Sequence, residues 1–159
     1  MLTIVTAIII HLTFGAGLAI AVYAAAEDVQ THLLRNVYTG PLAAVAIVGF
    51  AIHSAVERTG LPLADLAIGA AVFAGPWLLS FLVSPASIGF GDVKFSAGLG
   101  LYLGWIGPAT AFRGVFLTSV AGAGLAALAL LRGRRREPIA FGPALVIGAV
   151  AAVALAELP

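Results

Sequence analysis

The chain has no cysteine, and only 9% of its 159 residues carry a charge. The first absence excludes disulfides, thiolate metal sites and cysteine nucleophiles. The second excludes a water-soluble domain, which carries about 25% charged residues to clothe its surface. Hydrocarbon fills the chain instead: 62% of residues are hydrophobic and the mean hydropathy is +1.12. A spanning helix takes roughly 20 apolar residues, so the length holds about six. The apolar runs are long and continuous, without the period-two alternation of barrel strands. The predicted fold class is all-α, a polytopic membrane protein with about six transmembrane helices, with residues 1–159 forming one domain. The first 26 residues carry no Lys or Arg. A secretory signal would have a basic n-region and a shorter apolar core, so this stretch reads as a retained first span.

The predicted spans are 2–26, 38–56, 62–83, 92–106, 109–131 and 139–158. A polar turn, Glu27 to Asn36, follows the first, and Glu57-Arg58-Thr59-Gly60 closes the second. Gly107-Pro108 ends the fourth, because proline cannot continue the hydrogen-bond ladder. Positive residues set the orientation. Arg35, Lys94, Arg132, Arg134, Arg135 and Arg136 belong to the first, third and fifth connections, leaving only Arg58 and Arg113 for the other side. Lys and Arg favour the cytoplasmic face, so the odd connections are predicted to be cytoplasmic and both termini outside. The arginine run 132–136 reads as a topology anchor that also attracts anionic headgroups.

Acidic residues number seven. Two of them, Asp28 and Asp92, sit where an apolar run meets a short polar turn, and the charge count puts both at the cytoplasmic edge. Carboxylates there are costly and are functional candidates. Asp92 stands in Gly89-Phe90-Gly91-Asp92-Val93-Lys94. Glycine allows backbone or substrate to come close, and a carboxylate at a helix start meets unpaired amides and the positive end of the dipole. Locally, Asp92 reads as a helix cap sooner than as a catalytic acid. Asp28 alone reads as a solvated residue at a span's end.

The stretch 89–94 resembles the G-x-G-D-x-K signature of the type IV prepilin peptidases, membrane-embedded aspartic proteases. That family has an earlier aspartate followed seven and eight residues on by Pro-Asn. Here Asp28 is followed by Arg35 and Asn36, so the asparagine matches and the proline does not. Pro138 and Phe141-Gly142-Pro143-Ala144-Leu145 resemble the family's P-x-x-F-G-P-A-L stretch. The continuation from Phe95 to Trp105 fits as well. The resemblance implies a catalytic pair Asp28 and Asp92, supported by Gly89, Gly91, Lys94 and Asn36. It implies acid–base peptide hydrolysis without metal or cofactor. Its substrates would be prepilins or pseudopilins, with a basic leader, a glycine before the cut and an apolar helix after it. Longer family members carry paired C-x-x-C motifs linked to N-methylation. A cysteine-free chain is expected to be a peptidase-only form, with methylation done elsewhere. Arg35 in place of proline is expected to loosen the loop after Asp28 or to contact anionic lipid.

The other polar residues read more plainly. His11 and His53 are expected to hydrogen-bond between helices, and His32 to be solvated. Lys94 is expected to snorkel to the interface or, by its motif position, to tune the acidic pair or hold the loop. Gly100 and Gly104 form a G-x-x-x-G spacing suited to close packing inside a monomer. Trp77 and Trp105 are expected to mark the membrane interfaces. No feature points to nucleic acid; lipids and prepilin-like substrates are the expected partners. Two rivals remain: a small transporter or pilus or secretion assembly subunit using its acids for ion binding, and a presenilin-like protease cutting within transmembrane helices. Against the first, the chain shows no clear inverted repeat. Against the second stand Lys94 and the offset of Asn36.

Overall fold

The computed structural model describes residues 2–85, 88–133 and 139–156. Arg134, Arg135, Arg136, Glu137 and Pro138 lie outside the described residues. Six helices follow one another: α1 Leu2–Thr31, α2 Asn36–Glu57, α3 Leu63–Val83, α4 Phe90–Ile106, α5 Pro108–Leu131 and α6 Gly142–Ala156. No strand occurs among the described residues. Four helices, α1, α2, α3 and α5, are long and apolar enough to cross a bilayer unaided. With α4 and α6 between them, the chain is an all-α integral membrane protein.

α4 and α6, with 17 and 15 residues, are shorter than a self-sufficient span. α4 is largely enclosed by protein, while α6 buries one face and leaves Ile147, Val150 and Leu155 exposed. α4 packs against α2, α3, α5 and α6, and α6 packs against α1, α4 and α5. Within α4, Ser96 and Tyr102 are buried, while Asp92 and Lys94 lie at its more open end. Gly69 of α3 lies against Gly100 and Gly104 of α4, where any Cβ would strike the opposing backbone. The G-x-x-x-G spacing thus serves packing within the monomer, and Gly69 is its facing partner.

Several element ends differ from the sequence reading. α1 runs past Ala26 to Thr31, so Glu27 and Asp28 lie in the helix and not in a turn. The polar residues 27–31 continue the ladder once water or protein satisfies their side chains, and Thr31 Oγ1 donates to Glu27 O at 3.0 Å. His32, at φ 53°, ends the run in the left-handed region. α6 begins at Gly142 and not Ile139, with Pro143 in its first turn, where a missing N–H costs nothing.

Both tryptophans pack against other aromatic rings. Trp77 is buried and meets Phe141 edge-on at 4.8 Å. Trp105 stacks on Phe50 at 4.3 Å. Aromatic area here fills gaps between helices. His53 bridges helices as expected, its Nδ1 3.2 Å from Thr6 O. His11 does not; its Nδ1 lies 2.6 Å from Ala7 O of the same helix, and the side chain faces outward. His32 is exposed.

Candidate active site

Three connections meet at one end of the bundle. Gly91, in the first turn of α4, presses against the carbonyl of Leu34 in the α1–α2 connection so closely that a Cβ there would overlap it. Gly142, the first residue of α6, donates its N–H to Asp28 Oδ2 at 2.8 Å. The α1–α2, α3–α4 and α5–α6 connections therefore converge, although 114 residues separate Asp28 from Gly142.

Asp28 is 4% exposed. A buried carboxylate costs several kcal/mol unless it is paired, and one amide hydrogen bond to a charged group returns only about 1.5–3 kcal/mol. The bond from Gly142 therefore holds the side chain in place without explaining why an acid is buried there. Its cramped setting is fixed by glycine: a Cβ on Gly142 would stand 3.0 Å from Asp28 Oδ2 and 3.4 Å from Ala25 Cα.

Asp92 is the third residue of α4 and half-buried. Its Oδ2 accepts the N–H of Gly89 at 3.1 Å, which is half of a capping box; Gly89 has no side chain to return the bond. A cap of this kind contributes about 1 kcal/mol. Capping accounts for an acid at this position but not for Asp28, which the converging connections bring to the same end of the bundle. Two carboxylates brought together gain nothing in stability, because like charges at short range repel. The N-termini of α4 and α6 both point at the pair, and their amides place partial positive charge there.

The supporting residues form two small networks. Lys94 Nζ donates to Asn36 Oδ1 at 3.0 Å and lies 4.8 Å above the Phe90 ring. The sequence offered Asn36 and Lys94 as separate motif residues; the fold joins them as a tie between α2 and α4. Glu27 accepts a hydrogen bond from Tyr38 Oη and pairs with Arg35 Nη1 at 3.6 Å. Arg35 thus leans back on α1 rather than leaving its loop loose, and Glu27 has both oxygens engaged. Gly142 was quoted only as part of a motif, and its role as a donor to Asp28 was missed. The signal was present in Phe141-Gly142-Pro143, but a backbone N–H leaves no trace in a sequence. Among the described residues no cluster of three or more His, Asp or Glu side chains is placed to hold a metal ion.

Residues 15–156 match the type IV leader peptidase family. The chain belongs to that family. Among its leader peptidase relatives, the prepilin leader peptidase/N-methyltransferase of Burkholderia pseudomallei (strain 1026b) is 42% identical over 77 residues, 47% of this chain and 24% of the relative. The protein of the same name from Pectobacterium carotovorum subsp. carotovorum is 32% identical over 132 residues, 77% of this chain and 44% of the relative. That from Klebsiella pneumoniae is 31% identical over 93 residues, 55% of this chain and 39% of the relative. The chain spans less than half the length of these curated relatives. No solved structure matches it.

Proposed function

We propose that this chain is an aspartic endopeptidase that removes the leader of prepilin or pseudopilin substrates, with Asp28 and Asp92 as its catalytic pair. The observation that carries the reading is the burial of Asp28 within electrostatic reach of Asp92, each held by one backbone amide at a helix start. Stability does not call for that arrangement, and peptide hydrolysis does. Two close carboxylates share one proton. The ionised member takes a proton from water as the oxygen attacks the scissile carbonyl, and the protonated member donates to the carbonyl oxygen. Breakdown of the tetrahedral intermediate then needs a proton on the leaving nitrogen, which the pair supplies in return. Gly142 and Gly89 fix the two side chains, so neither must reorganise during the reaction. The relatives' printed names also include N-methyltransferase; the groups assembled here serve hydrolysis.

The charge distribution supports a cytoplasmic position for this end of the bundle. A substrate lying with its basic leader in the cytoplasm and its apolar helix in the bilayer would meet the pair at the interface. Reporter fusions at Gly60 and Gly133 should then report opposite sides, and the same side for both would refute this orientation. Catalysis is tested by co-expressing a prepilin with Asp28→Asn and Asp92→Asn variants. Asparagine keeps the size of the side chain but exchanges no proton. General acid–base groups contribute on the order of 10²–10⁴-fold, so each variant should leave the substrate unprocessed at normal enzyme levels. Full processing by a well-expressed Asp92→Asn variant would favour a non-catalytic use of the acids.

A further inference from the structure

Below the two aspartates, α1, α4 and α6 part to leave a half-open apolar cavity of about 320 Å³. Its residues nearest the pair are Ala21 on α1, Leu99 on α4 and Val146 on α6. Ala21 lies seven residues from Asp28, Leu99 seven from Asp92, and Val146 four from Gly142. At a rise of 1.5 Å per residue, α1 and α4 both place the near end of the cavity about 10 Å from the carboxylates. Tyr102 is one of its lining residues, 6% exposed, and its hydroxyl is occupied in donating to Leu42 O at 3.1 Å. Val150 stands on the rim, 45% exposed.

We infer that this cavity is a specificity subsite about two helical turns from the catalytic pair, and that it takes apolar side chains from the membrane-embedded segment of the substrate. The inference rests on the peptidase reading above. The cavity is too small to enclose a helix, but it accommodates two or three aliphatic side chains from a helix lying along the α1–α6 seam. Its lining offers no charged group, so it selects for hydrocarbon. A span of about 10 Å is about seven residues of helix or three of extended chain. The first side chain to enter therefore lies between the third and the seventh residue on the membrane side of the cut bond. Burying one such side chain is worth about 1.5–3 kcal/mol in water and less from lipid, so the subsite acts chiefly by holding the substrate in register.

The test compares Val150→Trp, which fills the cavity from its rim, with Ile147→Trp on the same helix, 52% exposed and outside the cavity lining. Purified enzyme in lipid vesicles is given a full prepilin and a peptide ending two residues after the cut. Val150→Trp should lower kcat/KM for the full substrate at least tenfold through KM, and leave the short peptide unchanged. Ile147→Trp should match the wild type on both. Equal behaviour of the two variants, or equal loss on both substrates, would overturn the inference. A photocrosslinker at position 150 in an Asp92→Asn background gives a reading that does not need turnover. Crosslinks to the substrate starting between its third and seventh residue support the subsite even if the chain proves not to cleave. Crosslinks to lipid alone refute it.

Discussion

Asp28 and Asp92 reach the same end of the bundle by opposite routes. Asp92 is held by its own neighbourhood: the amide that meets it is three residues away, and the turn that presents it is coded by adjacent glycines. Asp28 is held by a residue 114 positions away, and nothing in its immediate sequence marks it. Asp92 is half-buried at the start of a helix largely enclosed by protein, whereas Asp28 is fully buried near the end of a helix that packs on α2 and α6 but leaves its other face exposed. The difference teaches that one half of the site is built by local turn chemistry and the other by the docking of α6 onto α1. Damage to docking, at Gly142 against Asp28 or at Gly91 against Leu34, should therefore be severe, while a change confined to the turn before Asp92, at Gly89, should be better tolerated.

The glycines provide the sharpest way to break this comparison. Gly142→Ala puts a methyl 3.0 Å from Asp28 Oδ2, and Gly91→Ala drives one into the Leu34 carbonyl. Gly91→Ala displaces a backbone carbonyl that cannot easily yield, and Gly142→Ala pushes on the Asp28 side chain itself; each should reduce processing by roughly 10²-fold, as expected when catalytic groups are misplaced by about an ångström. Gly89→Ala should be nearly silent, within a few-fold. Its Cβ would lie 3.5 Å from Asp92 Oδ2, an ordinary contact, and Gly89 already has a backbone that any residue adopts, at φ −74° and ψ 150°. Rates of prepilin cleavage at matched enzyme levels check all three. A severe Gly89→Ala defect beside a mild Gly142→Ala one would reverse the account.

The Lys94–Asn36 tie comes next. Lys94→Ala or Asn36→Ala removes one exposed hydrogen bond to a charged group, worth at most about 1.5–3 kcal/mol. A loss of about tenfold is expected, and the double variant should be no worse than either single one, because both delete the same contact. Additive losses would show separate roles. The smallest effect belongs to Arg35. Its pair with Glu27 is long and largely exposed, and such pairs contribute about 0–1 kcal/mol. Arg35→Pro should change the thermal midpoint and the cleavage rate only slightly. A loss comparable to that of Gly91→Ala would show that the loop needs the ion pair.

Much of the fold was legible because hydropathy and charge act locally. Gly107-Pro108 divides α4 from α5, the apolar runs become helices, and G-x-x-x-G packs two of them. The misread features depend on distant partners. Glu27 and Asp28 were taken for a turn because polarity at the end of a span resembles a loop, yet Tyr38, Arg35 and Gly142 satisfy them within a helix. Nothing in the sequence announces that Phe50 and Phe141 pack against the tryptophans. In the site, Gly89, Gly91 and Asp92 could be read from one hexapeptide. The joining of Lys94 to Asn36 could not, nor could the amide of Gly142.

The central claim is that Asp28 and Asp92 work as one unit despite their different settings. A double-mutant cycle tests it most directly: cleavage of a prepilin by Asp28→Asn, Asp92→Asn and the combined variant, in vesicles, at equal protein amounts. Members of one catalytic unit are not additive. The account predicts that each single variant loses on the order of 10²–10⁴-fold, and that the double variant is no slower than the slower single one. Losses that multiply in the double variant, or an Asp28→Asn variant that still cleaves at the wild-type rate, would contradict it.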